Sequence, residues 1–149
     1  MELADTDRKA WLGLLARAPE GRTAGLLAQA GLSEDVTFLR QPEIGSVMVR
    51  GRAGGTGTAF NLGEVTVTRC SLRLACGTVG HGHVQGRRRA DAEAAALVDA
   101  LLQTGRADKV RAAVLEPLRS EEERRCGQRA SKAAATKVEF FTMVRGENK

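Results

Sequence analysis

The feature that most constrains this chain is a change of hydrophobic period along its length. Between residues 36 and 85, short segments carrying Val, Thr and Phe alternate with Gly and Pro. On either side, apolar residues recur at the three-and-four spacing of helices. Short β-branched segments bounded by turn residues read as strands, and the flanking spacing reads as amphipathic helix. A run of strands between two helical stretches predicts an α+β fold, with an antiparallel β-meander in the middle of the chain packed with N-terminal and C-terminal helices. A length of 149 residues suits a single domain, 1–149. Its expected division is about 1–32 helical, 33–86 β-rich, 87–137 helical and 138–149 an apolar docking tail.

Trp11, Leu14, Leu15 and Ala18 share one face of a first helix, which Asp5 or Thr6 can cap. Pro19 suits the first turn of a second helix, striped by Leu26, Leu27 and Ala30 and stopped by Gly31. In the middle, four strands are expected at 36–39, 46–52, 64–74 and 78–85, separated by Pro42, Gly45, the run Gly54-Gly55-Thr56-Gly57, Gly63 and Gly77. Val65 and Val67 fall on one face of the longest strand, but Cys70, Leu72 and Leu74 fall on the other. A bulge near Arg69 or Cys70 reconciles them, as does a strand covered on both sides.

Ala90, Ala94, Leu97 and Leu101 stripe the next helix, which Gly105 can end. A short helix around Val110, Ala113 and Val114 is expected to be interrupted by Pro117. Ser120-Glu121-Glu122-Glu123 has the form of a capping box, starting a last helix that runs to about Thr136. The apolar face of that helix is only Cys126, Ala130, Ala133 and Ala134. Side chains this small bury little area, so the helix is expected to stay exposed or to lie closely against another protein. The apolar segment that follows contains Phe140, Phe141 and Met143, the expected anchors for a partner.

Composition narrows the function classes. No apolar run reaches the roughly 20 residues that cross a bilayer, and the acidic start lacks an apolar signal core. The expectation is a cytoplasmic protein without a membrane. Three cysteines, Cys70, Cys76 and Cys126, form no CxxC pair and suit a reducing compartment. The net charge of +5 sits late, with 14 basic against 10 acidic residues from Gly86 onward and nine against eight before it. Such an excess fits an anionic partner without naming one. Aromatic residues are scarce and Tyr is absent. Stacking platforms for single-stranded nucleic acid are therefore lacking, and no nucleic-acid partner is expected.

The candidate chemistry is thin. His81-Gly82-His83 would point two imidazoles the same way from a strand, with Cys76 upstream. Zinc needs three or four ligands, so these are read as histidines on a solvated or interface strand, and no metal is assigned. Gly54-Gly55-Thr56-Gly57 is read as a hairpin connection, because neither a Walker loop nor a GxGxxG opening a helix is present. Arg50 and Arg52 beside it keep an anion reading open, together with Thr56. Arg87-Arg88-Arg89 at a helix start is either an anion site or a solvated charge run. No nucleophile–base pair or carboxylate pair stands out, so no catalytic residue is assigned.

The segment Val138-Glu139-Phe140-Phe141-Thr142-Met143-Val144-Arg145-Gly146-Glu147-Asn148 resembles the end of the PhnG family, a subunit of the bacterial carbon–phosphorus lyase core complex. Further segments agree in order: RKAWLGLL from Arg8, Arg52-Ala53-Gly54-Gly55-Thr56-Gly57 with Phe60, Gly63-Glu64-Val65-Thr66-Val67-Thr68-Arg69, and Ala96-Leu97-Val98-Asp99-Ala100-Leu101. The resemblance implies a role in phosphonate catabolism. There the complex displaces adenine from ATP with an alkylphosphonate, giving α-D-ribose 1-methylphosphonate 5-triphosphate. It implies PhnI as the main partner, with PhnH, PhnJ and PhnL in the wider complex, and ATP as a substrate of the assembly. Neither a cofactor nor a complete active site is expected on this subunit alone. On this reading Cys126, Ala130, Ala133, Ala134, Phe140, Phe141 and Met143 face a partner. The alternative is that Arg50, Arg52, Thr56, Arg69, Arg87, Arg88 and Arg89 supply phosphate-binding groups directly to a shared ATP site.

Overall fold

A computed structural model describes residues 5–138. In chain order they form α1 (Asp5–Ala16), α2 (Arg22–Gln29), β1 (Val36–Arg52), β2 (Ala59–Leu74), β3 (Val79–Gln85), α3 (Arg89–Leu102), α4 (Ala107–Val110) and α5 (Glu116–Ala135). The strands make one antiparallel sheet in the order β1-β2-β3. This is the expected α+β meander between helices. Among the described residues no helix is long and apolar enough to cross a membrane.

The strands differ from expectation. The segments expected at 36–39 and 46–52 are one continuous β1. Pro42 does not break it, because the pairing with β2 slips between Phe38 and Arg40 and again between Arg40 and Glu43. A residue that lacks an N–H is tolerated where the ladder is already interrupted. The expected bulge near Arg69 or Cys70 is therefore on the opposite strand, and β2 pairs with β3 without a slip from Val67 to Arg73. β2 is also buried on both faces at one point. Val67 and Thr68, adjacent and oppositely directed, are 1% and 0% exposed.

The core lies between one face of the sheet and the helices. Cys70, Leu72, Leu74 and Val84 from the strands meet Trp11, Leu14 and Leu15 of α1, Leu26 and Leu27 of α2, and most of α3. α3 lies against β3 at Gly80 and Gly82. A Cβ on Gly80 would stand 2.0 Å from the Ala96 carbonyl oxygen, and one on Gly82 2.0 Å from that of Ala92. Glycine on the strand and alanine on the helix are what allow this separation. The buried face of α3 is consequently wider than the expected stripe. Ala92, Ala95, Ala96, Val98 and Ala100 are buried, whereas Ala90 is exposed and Leu97 only half-buried.

Three helix-boundary signals, Pro19, Pro117 and Ser120, behave differently from expectation, and Gly31 does not. Pro19 sits in the turn before α2, its carbonyl accepting from Arg22 N–H, and Gly21 with φ 71° leads into the helix. Gly31 does end α2, as expected: with φ 62° it donates to Ala28 O while Leu32 donates to Leu27 O, the Schellman arrangement. Pro117 does not interrupt the last helical stretch. A π-helical turn at Arg111–Leu115 joins α4 to α5, and Pro117 follows directly after this wider turn. Ser120 is therefore inside α5 and caps nothing. Glu121 and Glu122 instead form ion pairs with Arg22 and Arg17, both at 2.7 Å.

Candidate functional site

Two buried carboxylates fasten the body. Asp99 on α3 is 0% exposed. It accepts from Arg8 Nε (3.1 Å) and a terminal guanidinium nitrogen of Arg8 (2.7 Å), from Trp11 Nε1 (2.9 Å) and from the backbone N–H of His81 (2.9 Å). One side chain thus ties α1, α3 and the outer edge of β3, which satisfies a buried charge and closes a sheet edge together. The Arg111 guanidinium carbon lies over the Trp11 ring, 5.5 Å from its centroid. Asp91 accepts from Gly21 N–H at 3.0 Å and from Arg88 at 3.3 Å. Sequence reasoning singled out neither aspartate. Both stand among alanines and valines on a helix, and an acidic residue on an apolar face was the available signal.

Beyond this body two elements project. Only the portion of β2 from Val67 to Arg73 has a partner on both sides; from Gly45 and Val67 outward, β1 and β2 form a two-stranded ribbon ending at residues 53–58. The ribbon exposes Met48, Phe60 and Leu62, at 50%, 45% and 67%. Two-stranded ribbons are marginal in water without a further surface to pack on. The second element is α5. Leu118 is its one fully buried residue, and every residue from 126 to 138 is exposed. Cys126, Ala130, Ala133 and Ala134 are therefore uncovered. Phe140, Phe141 and Met143 lie outside the described residues.

The arginines singled out from the sequence occupy three places. Arg50 and Arg52 flank a shallow recess with Gly51 and Ala59 near the ribbon tip, where Arg52 donates to Gly57 O at 3.2 Å and Thr56 is exposed. Arg69 lies opposite Glu43 and His83. Seven residues separate Glu43 from Arg50 along β1, roughly 23 Å at strand rise. Arg87, Arg88 and Arg89 precede α3. Arg88 is consumed structurally, donating to Gln85 O and Ala18 O at 2.8 Å and pairing with Asp91, while Arg87 and Arg89 are exposed. The seven residues do not converge on one site.

His81 and His83 stand on the face of β3 turned away from α3, His81 Nδ1 within 2.9 Å of Ser71 Oγ. Among the described residues no three of His, Cys, Asp and Glu converge as metal ligands. Burial, helped by Glu93, pushes the Cys70 thiol up to about 11, so it stays protonated at neutral pH. Cys76 is exposed, and the Thr78 hydroxyl, 3.3 Å away, lowers its thiol below the usual value.

An uncovered ribbon and an uncovered helix on a body whose buried acids are all committed to structure describe a chain that makes contacts outward. The model of the phosphonate metabolism protein PhnG family matches residues 6–146. The chain belongs to the PhnG family. A relative from Rhizobium meliloti (strain 1021), the "Alpha-D-ribose 1-methylphosphonate 5-triphosphate synthase subunit PhnG", is 42% identical over 141 residues, covering 95% of this chain and 90% of the relative. The match begins within α1 and extends past α5, so it spans the body and both projecting elements.

Proposed function

We propose that this PhnG-family chain is an accessory, non-catalytic subunit of an α-D-ribose 1-methylphosphonate 5-triphosphate synthase. In that assembly an alkylphosphonate displaces adenine from ATP, and this chain supports the reaction by docking. Its principal partner is the PhnI subunit. The observation that carries the proposal is α5. A 20-residue helix that buries one leucine gains only about 2 kcal/mol from apolar burial on its own domain. Its outer half is too short to be stable alone in water. A partner surface packed against Cys126, Ala130, Ala133 and Ala134 supplies the missing burial, and side chains of that size let the two backbones approach closely. The ribbon carries Met48, Phe60 and Leu62 as a second apolar contact.

The test is co-expression with PhnI of the full chain and of a chain ending after Arg124. Leu118, Glu121 and Glu122 remain in the shorter chain, so its body keeps every α5 contact described above. The proposal expects the shorter chain to stay folded by circular dichroism and to lose co-purification with PhnI. An assembly that forms and turns over ATP normally with the shorter chain refutes it.

A further inference from the structure

The sheet has two outer strands, and the fold closes only one of them. Along β3 the edge is taken up by side chains of α3 and its C-terminal cap. Asp99 accepts from the His81 N–H at 2.9 Å, and Gln103 donates to Val79 O at 3.0 Å. Among the described residues no strand pairs with β1 on the side away from β2. An outer strand left this way is a template for another chain unless something blunts it.

The two halves of β1 differ in this respect. From Phe38 to Glu43 the pairing slips twice and Pro42 removes a donor, and both devices keep an outer strand from pairing out of place. From Glu43 to Val49 the pairing with β2 runs without a slip. There Ile44-Gly45-Ser46-Val47-Met48-Val49 carries neither charge nor proline. Every second residue of a regular outer strand turns its N–H and C=O outward. About 20 Å of backbone is thus open on that side, and groups at this spacing are matched by another extended chain.

Size decides which chain. Two copies of this stretch pairing edge to edge would meet over about 20 by 10 Å, roughly 200 Å² on each side. The smallest stable interfaces bury about 600 Å² on each side. The occupant therefore has to extend beyond the edge, onto the apolar side chains of the ribbon. We infer that residues 43–49 of β1 receive an added β-strand from the partner subunit, an extended segment of about seven residues. This rests on the docking role proposed above and specifies how the ribbon docks. The segment carries apolar side chains at alternate positions beside Ile44 and Met48, which share one face and are 40% and 50% exposed. β-Branched residues stand beside Val47 on the other face. At the end nearest the ribbon tip an acidic residue meets Arg50, which has no acidic partner among the described residues.

The experiment is residue-resolved amide exchange over residues 43–49, in the full chain alone and in the assembly co-expressed with PhnI, joined to Ser46→Pro and Val47→Pro. Neighbouring residues of β1 direct their N–H groups to opposite sides, so one proline removes a bond to β2 and the other removes an outward donor. The inference expects alternate amides to exchange fast in the chain alone and all of them to exchange slowly in the assembly. The proline at the outward donor should keep the chain's thermal melt and weaken PhnI binding at least tenfold, while alanine at the same position binds as wild type does. Alternate amides that still exchange fast in the assembly overturn the inference, as does an outward-donor proline that binds PhnI normally. Slow exchange of every amide in a homodimer of the full chain makes the edge a seat for a second copy and overturns it too. A chain that does not bind PhnI brings down the docking role and this inference together. A chain that binds PhnI with its edge still open brings down this inference alone.

Discussion

Adding one methyl group at Gly82 tests the packing of the body most sharply. The Cβ of Gly82→Ala would lie 2.0 Å from the Ala92 carbonyl oxygen and 2.8 Å from the Ala96 nitrogen. Both obstacles are backbone atoms of α3, so no side-chain rotation relieves them. A relaxed carbon–oxygen contact is about 3.3 Å, so helix and strand must part by roughly 1.3 Å. A radial gap of that order forfeits about half or more of the dispersion attraction across the seam. α3 supplies Ala92, Ala95, Ala96, Val98, Ala100 and Leu101 to that seam, each 1% exposed or less. Overpacking with a backbone shift costs about 3 kcal/mol, which lowers the melting temperature by roughly 6–12 °C in a domain of this size. Gly63→Ala on the ribbon is the control, because nothing lies within 4 Å of its Cβ; it should stay within about 0.5 kcal/mol of wild type. Thermal and urea melts by circular dichroism give both values. A Gly82→Ala protein within about 1 kcal/mol of wild type would refute the close approach of α3 to β3.

Three other outcomes follow from the same contacts. Asp99→Ala leaves the buried Trp11 indole N–H and the His81 amide without an acceptor and should cost about 3 kcal/mol, with a changed emission spectrum from the chain's single tryptophan. Hydrogen bonds from Arg22 and Arg17 lower the carboxyls of Glu121 and Glu122 below the usual 4.5. Their stabilisation is complete above the unfolded value and is lost as pH falls through the lower folded values. Stability should therefore decline from pH 5 toward pH 3, and Glu121→Gln/Glu122→Gln should flatten that decline in urea melts; an unchanged slope contradicts the pairs. With a thiol reagent at pH 8, Cys76 and Cys126 should react in the native protein and Cys70 only after denaturation; three native equivalents would place Cys70 outside the core.

The alternation of helix and strand was legible because each period depends on local sequence. What the sequence hid was decided by contacts between distant segments. Pro42 reads as a strand end until the slipped pairing of β1 with β2 gives it a place without a donor. Ser120-Glu121-Glu122-Glu123 has the form of a helix start, but α5 begins four residues earlier at Glu116, and partners in α2 and beside α1 claim Glu121 and Glu122. In His81-Gly82-His83 the imidazoles draw the eye, yet Gly82 between them carries the packing by admitting α3. Of the candidate arginines, Arg88 became a structural tie because Ala18 O and Gln85 O come within reach on folding. The exposed small face of α5 was readable from the start, since four side chains of that size cannot bury a helix. The ribbon was not, because two separate strand segments conceal one long hairpin.

The central claim is that this chain completes its packing on another subunit. The most direct measurement is the mass, by light scattering, of the full chain purified alone and after co-expression with PhnI. The account predicts a defined complex with PhnI in which amide exchange slows along α5 from residue 126 and along the ribbon from residue 46 to 66. A monodisperse monomer that ignores PhnI, with exchange in those segments unchanged, would contradict it.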